Sequence, residues 1–187
     1  MAISMRVMGS SAASDWGTPQ WLFDALDEVF HFDLDAAADL NNHKHEHFLG
    51  AMEYGFIDAL ETDWCQKFGW GYAKNIWINP PYGRMAARFV AKARDESRKG
   101  LVVVCLIASR TGSRWLYREI KKLSHGRGEI SAYTALPGRL HFVRPDGTTG
   151  PAPFDSAIVV FSVRPISPEL REALDSLGAV WPREAAA

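Results

Sequence analysis

Leu101-Val-Val-Val-Cys-Leu-Ile107 is the stretch on which the fold turns. Seven apolar residues in a row, three of them valine, fit a strand covered on both faces; a strand with one wet face would alternate. Upstream, Gly100 stops an amphipathic helix, Arg84–Lys99, that directs Met85, Phe89, Val90 and Ala93 inward. Before that helix, Asn75–Ile78 reads as a second buried strand around Ile76-Trp77-Ile78. Downstream, Ser113–Leu123 places Trp115, Leu116, Glu119, Ile120 and Leu123 at helical intervals. Strands alternating with helices about a buried central strand predict an open α/β sheet with flanking helices.

The same reading extends to both ends. Thr18 is expected to cap a helix whose first residue is Pro19 and whose apolar side carries Trp21, Leu22, Ala25, Leu26, Val29 and Phe30. Phe32–Ala37 reads as a strand with Asp33 and Asp35 on one face, and Asn41–Glu61 fits no element. Short strands are expected at Glu129–Thr134, Arg139–Val143 and Ala157–Val163, and a last helix at Pro168–Leu177 with Gly178 after it. Trp64, Trp70 and Trp77 belong in the core. One domain over residues 15–180 is expected, with tails at 1–14 and 181–187.

At 187 residues, 47% hydrophobic and 23% charged, the composition is that of an ordinary globular protein. No run of 18 apolar residues occurs, so no membrane partner is expected. Residues 1–14 lack the apolar centre of a signal peptide. Cys65 and Cys105 have no metal-binding or redox spacing, which fits a reduced cytoplasmic protein. His43, His45 and His47 would share a face if that segment were a strand. No cysteine or carboxylate set completes them, so no metal is assigned.

Asn79-Pro80-Pro81-Tyr82, at the exit of the second strand, carries the chemistry. The Asn79 amide oxygen and the Pro80 carbonyl both accept hydrogen bonds. Each proline fixes φ near −65°, and Pro81 drives Pro80 towards extended backbone, so the direction of that carbonyl is largely preset. Two acceptors on one aromatic NH2 group would draw its hydrogens out of the ring plane and localise the nitrogen lone pair. Tyr82 can stack on the face of a base, worth about 1–3 kcal/mol. A Pro-Pro turn that merely ends a strand is the bland alternative. In open α/β sheets ligands bind at the carboxyl ends of strands. Asp35 and Asn79 both fall at expected strand ends and so could share one crevice.

The net charge of −1 hides an asymmetry. Residues 1–83 hold 4 Lys/Arg against 12 Asp/Glu, residues 84–144 hold 14 against 4, and the remainder 3 against 6. The basic block begins directly after Tyr82-Gly83, where it would neutralise a polyanion. Arg110, Arg114, Arg127, Arg139 and Arg144 suit phosphate and base-edge contacts. Ion pairs to Glu119 or Glu129 are the competing use of Arg110 and Arg139.

Taken in order, Trp16-Gly-Thr-Pro-Gln-Trp-Leu-Phe23, Phe32-Asp-Leu-Asp-Ala-Ala-Ala38, Asp58-Ala-Leu with Asp63-Trp64, and Asn79-Pro-Pro-Tyr82 form a recognisable series of blocks. Ala108-Ser-Arg110-Thr with Arg114-Trp115, Gly138-Arg139-Leu with Phe142, and Ala152-Pro-Phe with Ser156-Ala continue it. The series resembles the phage-type, Dam-like N6-adenine DNA methyltransferases over residues 15–163. The resemblance implies a Rossmann-like, S-adenosylmethionine-dependent methyltransferase sheet, mixed but mostly parallel. It also implies transfer of a methyl group to adenine N6 in double-stranded DNA, on a base turned out of the stack, in a phage-borne enzyme of the bacterial cytoplasm. Asn79, Pro80, Pro81 and Tyr82 would be catalytic. Trp16, Thr18, Pro19, Asp35, Ala36, Ala37 and Asp58 would hold the cofactor, with Asp63 the alternative to Asp58. Arg84, Arg110, Arg114 and Arg139 would contact DNA. Two departures stand out: Asp35-Ala-Ala-Ala-Asp39 replaces the usual Asp-Pro-Cys/Phe-Ala, which often has a glycine nearby, and Pro153-Phe-Asp-Ser156 replaces the usual Phe-Pro-Ser. Rival readings are transfer to protein glutamine or to RNA, and a catalytically silent DNA-binding relative.

Overall fold

The computed structural model describes residues 16–53, 55–68, 71–110, 112–114, 116–118, 130–144 and 146–181, with backbone alone at 67, 68 and 84. Trp70, Trp115, Glu119, Arg127, Glu129 and both expected tails up to Asp15 and beyond Trp181 lie outside these residues. The strands are β1 (Leu34–Asp39), β2 (Phe48–Met52), β3 (Gly55–Phe56), β4 (Lys67–Phe68), β5 (Gly71–Tyr72) and β6 (Asn75–Ile78). They continue as β7 (Val102–Ala108), β8 (Ile130–Ala135), β9 (His141–Val143), β10 (Thr149–Pro151), β11 (Ser156–Phe161) and β12 (Ala179–Trp181). The helices are α1 (Gln20–Phe30), α2 (Arg84–Ser97) and α3 (Pro168–Leu177).

Eight strands make the main sheet, in the order β12-β8-β11-β7-β6-β1-β2-β3. Its centre, β7-β6-β1-β2, is parallel, and the pairings outside it are antiparallel. The fold is therefore α/β with a mixed sheet built round a parallel centre. Strand alternation divides the core in two. Val103, Cys105, Ile107, Ile76 and Ile78 face α2 and Trp64. Val104, Leu106 and Trp77 face α1 and α3. Burial on both faces is why 101–107 carries no polar residue.

Several boundaries differ from the sequence reading. The expected strand Phe32–Ala37 is shifted to Leu34–Asp39 because Asp33 is engaged elsewhere, where its Oδ2 accepts the backbone N–H groups of Lys74 and Asn75 at 2.8 and 2.9 Å. Asp35 is consequently the second residue of β1 rather than lying near its end. Asn41–Glu61 contains β2 and β3. Thr18 does not cap α1: Pro19 occupies the cap position, its carbonyl accepting from Leu22 and Phe23, with no side-chain cap. Met85, expected inward, is 37% exposed. Trp181, assigned to a tail, pairs with Tyr133 in β12. His43, His45 and His47 lie in a bend, not a strand. There His43 Nδ1 lies 3.0 Å from the His45 carbonyl, and His45 Nδ1 accepts the His47 N–H at 3.1 Å.

Candidate active site

Asn79 follows the last residue of β6 and lies on the α1 face of the sheet, in alternation with Trp77. Its amide has a defined direction. Nδ2 donates to the main-chain carbonyl of Trp16 at 2.8 Å, which leaves Oδ1 as the outward acceptor. Flipping the amide would set oxygen against oxygen, so the Trp16 carbonyl selects the orientation that an incoming amine requires. The Tyr82 hydroxyl donates to Oδ1 at 3.5 Å, a long contact. Pro80 is buried, and its carbonyl accepts no hydrogen bond among the described residues. Two consecutive residues at the strand exit thus each carry an acceptor, one weakly engaged and one free among the described residues.

Tyr82 is enclosed by aromatic rings. Its centroid lies 4.5 Å from that of Phe154 and 6.1 Å from that of Phe142, the latter edge-on. Burial pushes its phenol pKa well up, so the hydroxyl stays a donor throughout the physiological range.

The segment 16–20 ties this corner together. Gly17 exchanges two backbone hydrogen bonds with Val143 of β9, at 2.8 and 3.0 Å, and so adds to the β9-β10 hairpin. Trp16 packs edge-on against Phe142 at 5.8 Å, with the Arg144 guanidinium 5.6 Å from its ring centroid. Thr18 is 2% exposed, and its hydroxyl forms no hydrogen bond among the described residues. Gln20, the first residue of α1, accepts from Lys44 Nζ at 2.9 Å. Lys44 in turn donates its backbone N–H to Asp35 Oδ2 at 3.0 Å. Segment 16–20 thus reaches Asn79 through the Trp16 carbonyl and Asp35 through Gln20 and Lys44.

Asp35 is 2% exposed, and Oδ1 accepts the Ala37 N–H at 3.2 Å. In the parallel register it pairs with Trp77, two residues before Asn79. Between Asp35 and Ala38 the β1–β2 register advances three residues on β1 for two on β2, a bulge centred on Ala36 and Ala37. Gly50 across the ladder makes that bulge possible: at φ +144°, a Cβ there would stand 1.8 Å from the Ala38 carbonyl oxygen. The close approach of the two strands at Ala38 is thus accommodated by a glycine on β2. Sequence reasoning missed it, although an isolated glycine inside Phe48-Leu-Gly-Ala-Met52 signals a close backbone approach. Lys44, which reaches both Asp35 and Gln20, carried no sequence signal.

Burial, only partly offset by the Lys44 and Ala37 N–H groups and by the nearby His43 and Lys44 charges, pushes the Asp35 pKa up from 3.8 to about 6. Between these values the folded chain holds a proton that the unfolded chain has lost, so raising the pH favours unfolding. Stability is expected to fall by about 2 kcal/mol from this group between pH 4 and 6. Thermal melting across that range, compared with Asp35→Asn, isolates the contribution; parallel profiles for the two proteins contradict it.

The remaining residues divide by place. Arg110 follows β7, Arg114 stands in the next helical turn and Arg139 follows β8, all at the carboxyl end of the parallel strands. Among the described residues none of the three forms a side-chain hydrogen bond or ion pair. Arg84 opens α2 directly after Tyr82-Gly83. Arg144 lies over Trp16 and donates to Thr148 at 3.2 Å. Asp58 is exposed beyond β3, where Oδ1 accepts the Leu60 N–H, and no hydrogen bond among the described residues links it to Asp35 or to residues 16–20. Its alternative, Asp63, pairs with Lys99 at 2.8 Å, which holds its carboxyl below the usual range. A cavity of about 360 Å³ lined by Phe30, His31, Asn75 and Ser167 lies at the opposite end of β6 from Asn79.

A family model described as DNA N-6-adenine-methyltransferase (Dam) matches residues 8–173. The DNA N-6-adenine-methyltransferase of Escherichia phage T1 is 32% identical over 101 residues, 54% of this chain. The match spans 38% of that relative's length.

Proposed function

We propose a reaction for this protein from one premise: the chain belongs to the Dam family of DNA N-6-adenine-methyltransferases. It methylates the N6 amino group of adenine in double-stranded DNA, with S-adenosylmethionine as donor. The observation that carries the reading is the fixed Asn79 amide, followed in the chain by the Pro80 carbonyl, which accepts no hydrogen bond among the described residues.

The strand order supports a Rossmann-like methyltransferase sheet. β11 enters antiparallel between β7 and β8, and β8 runs parallel to β7 at one remove. The residues around Asp35 fit the cofactor. Ala36 and Ala37 leave the bulge without large side chains, Asp35 offers a carboxylate, and Thr18 offers a hydroxyl that forms no hydrogen bond among the described residues. When bound, S-adenosylmethionine supplies a methyl group on a sulfonium, open to displacement by nitrogen. Asn79 Oδ1 and the Pro80 carbonyl accept hydrogen bonds from the two N6–H groups, which turns the nitrogen lone pair out of conjugation, and the proton that N6 sheds on methylation passes to water. The Tyr82 hydroxyl gives up its long contact with Oδ1 as the adenine, turned out of the duplex, takes its place. Tyr82 then stacks on the base, and segment 16–20 would hold the methyl donor. Arg84, Arg110, Arg114 and Arg139 neutralise phosphates.

Incubation with tritiated S-adenosylmethionine and unmethylated DNA, followed by nucleoside analysis, is expected to place the label in N6-methyladenine. Arg110, Arg114 and Arg139, unpaired among the described residues, favour nucleic acid over a glutamine side chain as acceptor. Label in a glutamine peptide but not in DNA, or none in any acceptor, overturns the reading.

A further inference from the structure

We propose that Arg144 is a positioning residue for methyl transfer, acting on Asn79 through the main chain of Trp16. The inference rests on the reaction proposed above and adds a member to its machinery.

The amide of Asn79 is useful in only one of its two orientations. With Oδ1 outward it accepts from an amine; with Nδ2 outward it presents hydrogens to hydrogens. The Trp16 carbonyl, 2.8 Å from Nδ2, makes that choice, and its own place must therefore be fixed. Trp16 begins a segment whose attachment to the β9-β10 hairpin is the two-bond bridge between Gly17 and Val143. Arg144, the next residue after Val143, completes the clamp. Its guanidinium covers the Trp16 ring at 5.6 Å from the centroid, while Phe142 meets the ring edge-on at 5.8 Å. Cations over an indole face are attracted by the ring quadrupole, and tryptophan is the best such partner.

The hairpin is shaped for this placement. Arg144 Nη1 donates to Thr148 Oγ1 at 3.2 Å, and its backbone N–H bonds to the Thr148 carbonyl at 2.8 Å. Gly150 opposes Phe142 in the ladder, and a Cβ there would lie 2.4 Å from Arg144 Nη2. Glycine at 150 thus leaves the channel along which the side chain runs back towards Trp16. An arginine kept for DNA phosphate would gain nothing from that channel.

Two readouts test the assignment, one independent of catalysis. In ¹H–¹⁵N spectra the Asn79 side-chain amide pair, assigned with Asn79→Ala, is expected to be resolved and slow to exchange with solvent. In Arg144→Ala it is expected to exchange at least tenfold faster. In transfer assays Arg144→Ala is expected to lose about tenfold in kcat, with KM for DNA and for S-adenosylmethionine within twofold of wild type. Arg144→Lys, which keeps a cation, recovers most of the loss. Gly150→Val, which fills the channel with Arg144 still present, reproduces it, and the double variant is no worse than either single one.

An unchanged Asn79 amide pair in Arg144→Ala overturns the proposal whatever the activity. So does a raised KM for DNA with a shallower salt dependence at unchanged kcat, the signature of a lost phosphate contact. A wild-type protein that transfers no methyl group refutes the reaction, and the amide spectra still decide whether Arg144 orients Asn79.

Discussion

Asn79→Ala is expected to lower methyl transfer by at least about 100-fold, the scale on which removing one preorganised polar contact from a reacting centre acts. Alanine removes Oδ1, one of the two acceptors that localise the N6 lone pair, and leaves the Pro80 carbonyl alone at the amine. The fold loses little. Asn79 is only half-buried, and the single well-formed bond it gives up is the one to the Trp16 carbonyl. A net cost of about 1 kcal/mol corresponds to a midpoint shift of about 2–4 °C in a chain of this size. Thermal melting beside single-turnover transfer checks both halves. Retention of more than a tenth of wild-type transfer by a folded Asn79→Ala protein contradicts the assignment.

The largest structural effect is expected at Gly50, a residue outside the Asn79 corner. Gly50→Ala sets a methyl group 1.8 Å from the carbonyl oxygen of Ala38, a backbone atom without a flexible end that could swing aside. Either β2 separates from β1 or the bulge at Ala36–Ala37 flattens, and φ +144° adds strain in both cases. Overpacking of this kind costs about 3 kcal/mol or more, a fall of about 10 °C in thermal midpoint. Because the bulge carries Ala36 and Ala37 beside Asp35, affinity for S-adenosylmethionine is expected to fall with it. Isothermal calorimetry below the lowered midpoint separates loss of binding from loss of fold. A Gly50→Ala protein with wild-type melting and wild-type affinity contradicts the role given to the bulge.

What the sequence made legible follows from where each signal resides. Leu101–Ile107 announces a doubly covered strand because burial on both faces excludes polar residues along its length. Asn79–Tyr82 is readable because the two prolines fix the backbone, so residue types translate directly into geometry. The series of blocks from Trp16 to Ala157 pointed to the family that the comparisons bear out. Features that depend on two distant segments were not legible. Asp33 looked like a strand residue until Lys74 and Asn75 claimed its carboxylate. Thr18 looked like a helix cap, yet the chain enters α1 with the capping left to the Pro19 carbonyl. The relief that Gly50 gives the bulge, and the cover that Arg144 gives Trp16, exist only once strand register brings the partners together. Local propensity reads along the chain, and each of these contacts runs across it.

The most direct test is a structure of the protein with adenine-containing DNA and a non-reactive analogue of S-adenosylmethionine. The expected result is an adenine turned out of the duplex, its N6 within about 3 Å of both Asn79 Oδ1 and the Pro80 carbonyl, with Asn79 Nδ2 still bonded to Trp16. An adenine whose N6 meets neither oxygen, or an Asn79 amide turned with Nδ2 towards the base, would contradict the proposed chemistry.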